Sequence, residues 1–289
     1  MYTAPRDAFR IAAGQGLAEK NGPSGDCTYP QGRVYIPSRG ASPAPSGAGR
    51  PAGRARRCGN VAAERGRAVD EGRAIYEDEV LLAWDKPAGI LVHGDGSGAR
   101  TLTDVVAEHL VDAGRADVRP QPVQRLDVET TGLVLFSLDR ATQPALDAQV
   151  AGHDMRKQYL AVVSGRFPWG EKNLHQPIGR DRHDARRMRA CRPGQGKPAE
   201  TRVRRLAEKD GRTLLLVELR TGRRHQIRVH LASLGFPIVG DALYGGARSK
   251  RGLLLHAWRE ELDHPMTGER LRLETAWPAR LWPEPVALP

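Results

Sequence analysis

From about residue 75 onward, apolar residues come in short runs whose length suits β-strands, separated by Gly, Pro and Asp. Alternating or continuous apolar runs bounded by such turn formers are typical of strands. We predict strands at 80–84, 90–93, 123–127, 133–138, 159–163, 201–207 and 213–220. The last two flank Asp210-Gly211, and an Asp-Gly pair between apolar runs predicts a tight hairpin. A final hairpin is predicted at residues 266–268.

Three other segments follow a helical period of 3.6 residues. Thr101, followed three residues later by Asp104, resembles a capping pair, and apolar residues then recur at helical spacing. Residues 141–150 and 223–234 predict two further helices, the second ended by Gly235. Because strands and helices interleave without a regular βαβ rhythm, the predicted fold class is α+β, with a mixed, largely antiparallel sheet flanked by helices and loops.

Residues 1–74 differ from this pattern in both composition and charge. They carry 12 Lys and Arg against 6 Asp and Glu, more than half of the net charge of +11. Between residues 38 and 74, 22 of 37 residues are Gly, Pro, Ala or Ser, which leaves too little apolar surface to offset the entropy of ordering. We therefore predict a disordered basic tail over 1–74 and one folded domain over 75–289. The tail would attract a polyanion loosely, but an unselective tail or an over-extended start codon is the simpler interpretation.

The composition also excludes several classes of protein. No apolar run approaches the length of about 18 residues that a membrane span needs, and the N-terminus lacks the apolar core of a signal peptide. Cys27, Cys58 and Cys191 lie too far apart for a disulfide framework or a metal knuckle, and the histidines lack zinc-site spacing. We expect a cytoplasmic protein without a metal site.

An aspartate at a predicted strand end is the first candidate for chemistry. Asp127 lies between the strand predicted at 123–127 and a Thr-Thr-Gly turn, an edge where side chains reach a cleft. A carboxylate there serves as nucleophile, general base or metal ligand, although an aspartate that only caps a turn is common. Glu129 would share a face with Asp127 on an extended strand, as in the carboxylate pair of a glycoside hydrolase.

Residues 221–230 carry three arginines and two histidines around a predicted helix start. These side chains and the free backbone amides would form an anion site, whereas a solvated basic helix face is the simpler alternative. Arg228 adjoins the buried stripe of this helix, and an arginine in such a place usually pairs with a carboxylate. Spacing alone does not identify that carboxylate. Tyr159, which begins a predicted strand, would ordinarily belong to the core with a solvated hydroxyl.

Seven motifs in a fixed order point further than any one of them. They are Asp-Lys-Pro-Ala-Gly-Ile-Leu-Val-His (85–93), Arg-Leu-Asp-Val-Glu-Thr-Thr-Gly (125–132), Lys-Gln-Tyr-Leu-Ala (157–161), Gly-Lys-Pro-Ala-Glu-Thr (196–201), Thr-Gly-Arg-Arg-His-Gln-Ile-Arg-Val-His-Leu (221–231), Gly-Asp-Ala-Leu-Tyr-Gly (240–245) and Leu-Leu-His-Ala (254–257). This set resembles the RluA-type pseudouridine synthase family over about residues 75–280. Two features depart from the family: Gln124 stands where relatives usually have His, and residues 1–74 lack the pattern of the small RNA-binding domain that many relatives carry.

The resemblance implies roles for particular residues. The aspartate of the family's Arg-Leu-Asp motif is the nucleophile, which corresponds to Asp127, and the other catalytic residues correspond to Tyr159 and Arg228. Residues 180–192, with six arginines, are either a solvated loop or a positively charged flap that grips phosphates. Contacts with RNA or the uridine are expected from Arg125, Leu126, Thr130, Arg223, His225, Gln226, Ile227, Arg186, Arg187 and Arg189.

The activity implied by the resemblance is the isomerisation of specific uridines to pseudouridine in structured RNA, with large-subunit ribosomal RNA ahead of transfer RNA. The reaction involves no net redox change and no hydrolysis, so no cofactor or metal is expected. RNA is the expected partner, and a monomer is the expected state. Two alternatives stay open: a non-catalytic RNA-binding protein on the same fold, and a glycoside hydrolase that uses Asp127 and Glu129. The basic charge of the chain argues against the second.

Overall fold

A computed structural model of the protein describes residues 70–287. Residues 1–69 of the predicted disordered tail lie outside the described range, so their disorder stays a prediction. The first strand begins at Arg73, and residues 73 and 74, which the predicted boundary assigns to the tail, therefore belong to the sheet. The indole N–H of Trp84 also donates to the carbonyl of Glu71 at 3.0 Å, which ties the chain ahead of this strand to the sheet.

The described residues form twelve strands, three α-helices and one 3₁₀ turn. The strands are β1 (Arg73–Glu77), β2 (Leu81–Lys86), β3 (Gln121–Pro122), β4 (Thr131–Ser137), β5 (Arg156–Ser164), β6 (Glu171–Leu174), β7 (Ile178–Arg180), β8 (Met188–Ala190), β9 (Thr201–Lys209), β10 (Arg212–Leu219), β11 (Leu255–Asp263) and β12 (Arg270–Glu274). The helices are α1 (Leu102–Asp112), α2 (Gln143–Gly152) and α3 (Gln226–Ser233), and the 3₁₀ turn is Ala242–Tyr244.

Ten of these strands form one sheet with the order β1-β2-β4-β11-β5-β10-β9-β6, to which β3 adds beside β4 and β12 beside β11. All pairings in it are antiparallel except that of β11 with β4. The predicted fold class, α+β on a mixed and largely antiparallel sheet, is therefore confirmed. The remaining strands, β7 and β8, form a separate hairpin.

Two elements follow the local pattern closely. Thr101 caps α1: its side chain accepts from the backbone N–H of Asp104, and the Asp104 carboxylate accepts from the N–H of Thr101, which completes the predicted capping box. The β9–β10 hairpin turns at Asp210 and Gly211, whose φ angles of 51° and 66° suit the left-handed residues of a tight hairpin turn.

Two predicted strands are wrong within residues 70–287. Residues 90–93 form only an isolated bridge between Leu91 and Thr101, because the carbonyls of this segment accept from Lys86 and from the first turn of α1 and not from a strand. Residues 123–127 are irregular chain that follows the short β3. Helix α3 also begins three residues later than predicted, because His225 adopts a left-handed φ of 55°, which a helix does not accommodate.

Two clusters of buried apolar side chains hold these elements together. The larger one joins the central strands to one face of α1, including Leu102 and Leu110, and to Leu146 of α2. The smaller one joins the β7–β8 hairpin to α3 and the 3₁₀ turn, and it consists of Ile178, Ala199, Val229 and Tyr244. In the described part of the chain no helix has the length and apolar character that a bilayer span requires.

Candidate active site

Asp127 lies in a turn that leads into β4 at the middle of the sheet. The backbone N–H of Thr130 donates to the carbonyl of Asp127 at 3.1 Å and closes this turn. Next along the chain, Gly132 has a φ of +109°, and a Cβ there would lie 2.1 Å from the carbonyl oxygen of Ala257 in β11. The turn is therefore held against β11 at a position that admits only glycine. About a quarter of the Asp127 side chain, 25%, is exposed, so a ligand can reach it.

The partner of Asp127 is the buried guanidinium of Arg228. Its Nη1 donates to Oδ2 of Asp127 at 3.1 Å, which confirms that Arg228 pairs with a carboxylate. Its Nε and Nη2 each donate at 2.8 Å to the two oxygens of Asp241, which has no exposed surface. Although burial opposes the charge, the hydrogen bonds and charge of Asp241 raise the pKa of Arg228. Arg228 is thus a fixed cation that presents one edge to Asp127.

Asp241 and Tyr244 belong to the site, although the sequence pattern does not predict a role for them. Asp241 also accepts from the backbone N–H of Tyr244 at 3.2 Å, and the Tyr244 ring lies 5.3 Å from the guanidinium carbon of Arg228. The one signal for them is the motif at 240–245, which belongs to the set that carries the family resemblance. No role attaches to that motif from spacing alone.

Glu129 is not arranged as the second carboxylate of a strand-borne pair. It lies in the same turn as Asp127, not on a strand, and it accepts from Nη2 of Arg228 at 3.1 Å. One guanidinium therefore binds three carboxylates, those of Asp127, Glu129 and Asp241. The strand geometry on which the glycoside hydrolase alternative depends is absent from this turn.

A buried lysine, Lys86, which the sequence pattern does not predict as a site residue, hydrogen-bonds to the turn that contains Asp127. The Nζ of Lys86 donates to the carbonyls of Pro87, Ile90 and Val128 at 2.9, 2.9 and 3.1 Å, and the side chain is 1% exposed. Burial lowers the pKa of Lys86 to about 8, although the nearby charge of Asp127 opposes this shift. Lys86 thus joins the chain after β2 to the Asp127 turn.

Tyr159 lies in β5 and is 6% exposed. Burial, and then the negative charges of Glu260 and Asp127, raise the pKa of its hydroxyl. A proton is therefore held firmly on this oxygen, which disfavours the phenolate as a base and leaves the ring face and an O–H donor for use in the site.

Glu260 itself is 1% exposed, burial raises its pKa to about 7, and Gln124 donates to both of its oxygens at 2.7 and 2.9 Å.

His225 comes close to the second oxygen of Asp127. Its Nε2 lies 3.8 Å from Oδ1 of Asp127, and its Nδ1 lies 2.8 Å from the hydroxyl of Tyr244. Burial lowers the pKa of His225, although the charge of Asp127 opposes this shift, and the neutral imidazole is favoured. Arg223 is engaged by another group, since its Nε donates to the carbonyl of Pro198 at 2.9 Å.

Four of the residues expected to contact RNA are buried: Leu126 is 9% exposed, Thr130 2%, Gln226 2% and Ile227 4%. The Gln226 side chain donates to the carbonyl of Glu200 and to the hydroxyl of Thr201, each at 2.9 Å. Leu126 and Ile227 belong to the larger apolar cluster. These side chains support the site from behind, and their burial does not support the predicted contact with RNA.

Within the arginine-rich segment 180–192, residues 181–187 form the loop that joins β7 to β8, and β8 occupies residues 188–190. Arg186 is exposed and pairs with Asp184, to which its Nε and Nη2 donate at 3.0 and 2.8 Å. Arg187 and Arg189 are half-buried, and the guanidinium carbon of Arg187 lies 5.4 Å from the centre of the Tyr244 ring. The hairpin therefore adjoins the candidate site through Tyr244.

Arg125 is exposed, and its Nη1 lies 3.4 Å from Nε2 of His93. Because residues 123–127 are irregular, Arg125 and Asp127 do not lie on one strand. A partly exposed carboxylate beside a fixed cation and a neutral imidazole can act as a nucleophile or accept a hydrogen bond. Among residues 70–287, no group of three His, Cys, Asp or Glu side chains is placed to hold a metal ion.

Comparison with known proteins agrees with this geometry. Residues 80–233 match the family described as RNA pseudouridylate synthase. The chain is 36% identical over 206 residues to an uncharacterized RNA pseudouridine synthase of Bacillus subtilis, which covers 71% of this chain and 68% of that protein. It is 38% identical over 216 residues to the ribosomal large subunit pseudouridine synthase D of Nitrosomonas europaea, covering 70% of this chain and 61% of that one.

Solved structures show the same fold. The human RNA pseudouridylate synthase domain containing 4 superposes with a TM-score of 0.61 at 23% identity, over 75% of this chain and 94% of that one. The predicted enzyme class, an isomerase that acts on RNA, is confirmed by the family match, and the glycoside hydrolase alternative is wrong. With a family match across the Asp127 turn and α3, and relatives above 35% identity, this chain belongs to the RluA-type family of RNA pseudouridine synthases.

Proposed function

We propose that this protein isomerises specific uridines of large-subunit ribosomal RNA to pseudouridine, with Asp127 as the nucleophile. The observation that carries the proposal is the pairing of a partly exposed Asp127 with the buried, permanently charged Arg228 at 3.1 Å. The name of the Nitrosomonas europaea relative supports ribosomal RNA as the substrate, and transfer RNA is the competing substrate.

The reaction breaks the bond between ribose C1′ and N1 of uracil, joins C1′ to C5, and moves a proton from C5 to nitrogen. Asp127 acts on the ribose, on the base, or by promoting a glycal-type intermediate. In each route an ionised carboxylate is required, and Arg228 orients the carboxylate of Asp127 through a charge-assisted hydrogen bond at 3.1 Å. Tyr159 offers its ring face to the uracil, and its firmly held proton makes the hydroxyl a donor.

The target uridine must leave its stack before its C1′ can reach Asp127. We assign the displacement of the flipped base to Arg125, which is exposed two residues before Asp127 and lies 3.4 Å from His93. Val128, which follows Asp127 and is 37% exposed, adds apolar surface next to the carboxylate.

Replacing Asp127 by Asn tests the nucleophile. We expect Asp127→Asn to fold, to bind RNA, and to lose isomerisation by at least about a thousandfold, because an amide is not a nucleophile of this kind. Glu129→Gln is the matched control, since Glu129 binds the same guanidinium, and we expect its rate to stay within about tenfold of the wild type. Turnover by Asp127→Asn within tenfold of the wild type would exclude Asp127 as the nucleophile. A wild-type protein without isomerase activity would favour the non-catalytic RNA-binding alternative.

We also propose that the β7–β8 hairpin binds RNA phosphates. Each phosphate that an arginine neutralises steepens the dependence of log affinity on log salt by about 0.7 to 0.9, because it releases counterions. Changing Arg186, Arg187 and Arg189 together to Gln should therefore make the slope shallower and weaken binding most at low salt. Deletion of residues 1–69 should cost less affinity than this triple change. An unchanged salt slope, or a greater loss of affinity from the deletion, moves RNA recognition to the N-terminal segment.

The substrate can be identified by mapping pseudouridines in cellular RNA with and without the gene. Loss of a site in large-subunit ribosomal RNA supports the proposal, and loss only from transfer RNA contradicts it. The cytoplasmic location and the monomeric state stay predictions.

A further inference from the structure

The hydroxyl of Tyr244 lies between the β7–β8 hairpin and the imidazole beside Asp127. The backbone N–H of Met188 in β8 donates to this oxygen at 2.8 Å, and Nδ1 of His225 lies 2.8 Å from it on the other side. Tyr244 is 8% exposed and its ring meets the His225 ring edge-on, with centroids 5.7 Å apart at 86°. The Tyr244 oxygen is therefore within hydrogen-bond distance of both partners.

The polarity of these hydrogen bonds favours one of the two neutral tautomers of the imidazole. A backbone N–H only donates, so the Tyr244 oxygen accepts from Met188. Nδ1 of His225 lies within hydrogen-bond distance of the phenolic proton and can accept it, and a neutral imidazole that accepts at Nδ1 carries its proton on Nε2. That Nε2 is the nitrogen 3.8 Å from Oδ1 of Asp127, the oxygen that Arg228 does not bind.

The backbone holds His225 in place for this contact. Its φ of 55° is left-handed, a conformation that costs a non-glycine residue free energy and that persists where neighbouring contacts impose it. The groups with charge around the imidazole are Asp127, Arg228, Arg224 and Asp241. Distances between catalytic groups without substrate are often long and shorten when substrate binds.

We propose that Tyr244 is a positioning residue: its hydroxyl fixes the Nε2–H tautomer of His225 and so places an N–H donor at the free oxygen of Asp127. This inference rests on the proposed role of Asp127 as nucleophile. Because the Met188 N–H directs the phenolic proton toward His225, a seated β7–β8 hairpin is part of the arrangement. The hairpin is held there by the small apolar cluster and by Arg224, whose Nη2 donates to the carbonyl of Arg186 at 3.1 Å.

Tyr244→Phe tests the proposal by removing the hydroxyl and keeping the ring. We expect kcat on an RNA substrate to fall about tenfold, the effect of one hydrogen bond, while KM changes less than about threefold. The matched control is Tyr76→Phe, which removes a hydroxyl bonded to Asp78 away from the site and should leave both constants unchanged. A rise in KM with unchanged kcat would show that Tyr244 only anchors the hairpin, and it would overturn the proposal.

Two further measurements separate this inference from the proposed function. Nitrogen NMR of the wild type should show His225 protonated on Nε2 and unprotonated on Nδ1, and Tyr244→Phe should show a mixture of tautomers; a wild-type signal for Nδ1–H refutes the inference whatever Asp127 does. In a double-mutant cycle, Tyr244→Phe should cost little in a His225→Gln background, because the two residues act as one unit. Additive losses of kcat would mean that Tyr244 acts independently of His225.

Discussion

Replacing Arg228 by methionine should destabilise the fold far more than the loss of an ordinary ion pair. The variant keeps a long apolar stem but removes the donors to Asp241 at 2.8 Å and to Asp127 at 3.1 Å. Asp241 has no exposed surface, and without Arg228 its carboxylate keeps one hydrogen bond, from the backbone N–H of Tyr244 at 3.2 Å. Breaking a buried pair from one side leaves an uncompensated charge, which costs about 3–5 kcal/mol of unfolding free energy.

The assay is equilibrium urea denaturation of the full chain, with Arg202→Met as the matched control. Arg202 also makes a bidentate pair, with Glu171 at 2.8 and 3.0 Å, but its side chain is 37% exposed. An exposed pair of this kind contributes less than about 1 kcal/mol. Both variants remove an arginine from a bidentate pair with one carboxylate, and these two pairs differ in burial. Arg228→Met also removes the single hydrogen bonds to Asp127 and Glu129.

A double-mutant cycle identifies which carboxylate carries the cost. Because Asp241→Asn removes the buried charge, the double variant with Arg228→Met should be less destabilised than the sum of the singles by about 1–3 kcal/mol. The same cycle with Asp127→Asn should show weaker coupling in stability, because Asp127 is 25% exposed. Additive effects with Asp241, or an Arg228→Met cost no larger than that of Arg202→Met, would refute the reasoning.

Two further predictions concern stability. Burial raises the pKa of Glu260 from 4.5 to about 7. Between pH 4.5 and 7 the folded state therefore binds more protons than the unfolded state, and the free energy of unfolding falls as the pH rises, by an amount on the order of 3 kcal/mol. Urea titrations at pH 5 and 7.5 should show that Glu260→Gln removes this fall. Parallel profiles of variant and wild type would contradict this assignment. Gly132→Ala should lower the free energy of unfolding by more than about 3 kcal/mol or prevent folding, because its Cβ would lie 2.1 Å from the Ala257 carbonyl oxygen. The control is Gly211→Ala, where φ is +66° and the Cβ would meet open space, and it should cost about 1–2 kcal/mol in the same assay. Equal costs would show that the φ angle alone matters.

The sequence by itself determined the elements whose signals are local. The capping box of Thr101 and Asp104 and the Asp210-Gly211 turn form through contacts within about four residues, and both are present as predicted. The order of the motifs was likewise sufficient to identify the family and to single out Asp127 and Arg228. Each of these conclusions needs only the neighbours along the chain or a known pattern of residues.

Only the tertiary structure decided which groups meet. Arg228 reaches Asp241 across 13 positions and Asp127 across 101, and Lys86 reaches the Val128 carbonyl across 42. Charge and spacing do not distinguish one distant carboxylate from another, because burial and distance set the strength of such pairs and both arise from packing of the whole sheet. The same holds for the start of α3, where contacts made by His225 with residues far along the chain override the helical periodicity of residues 223–225.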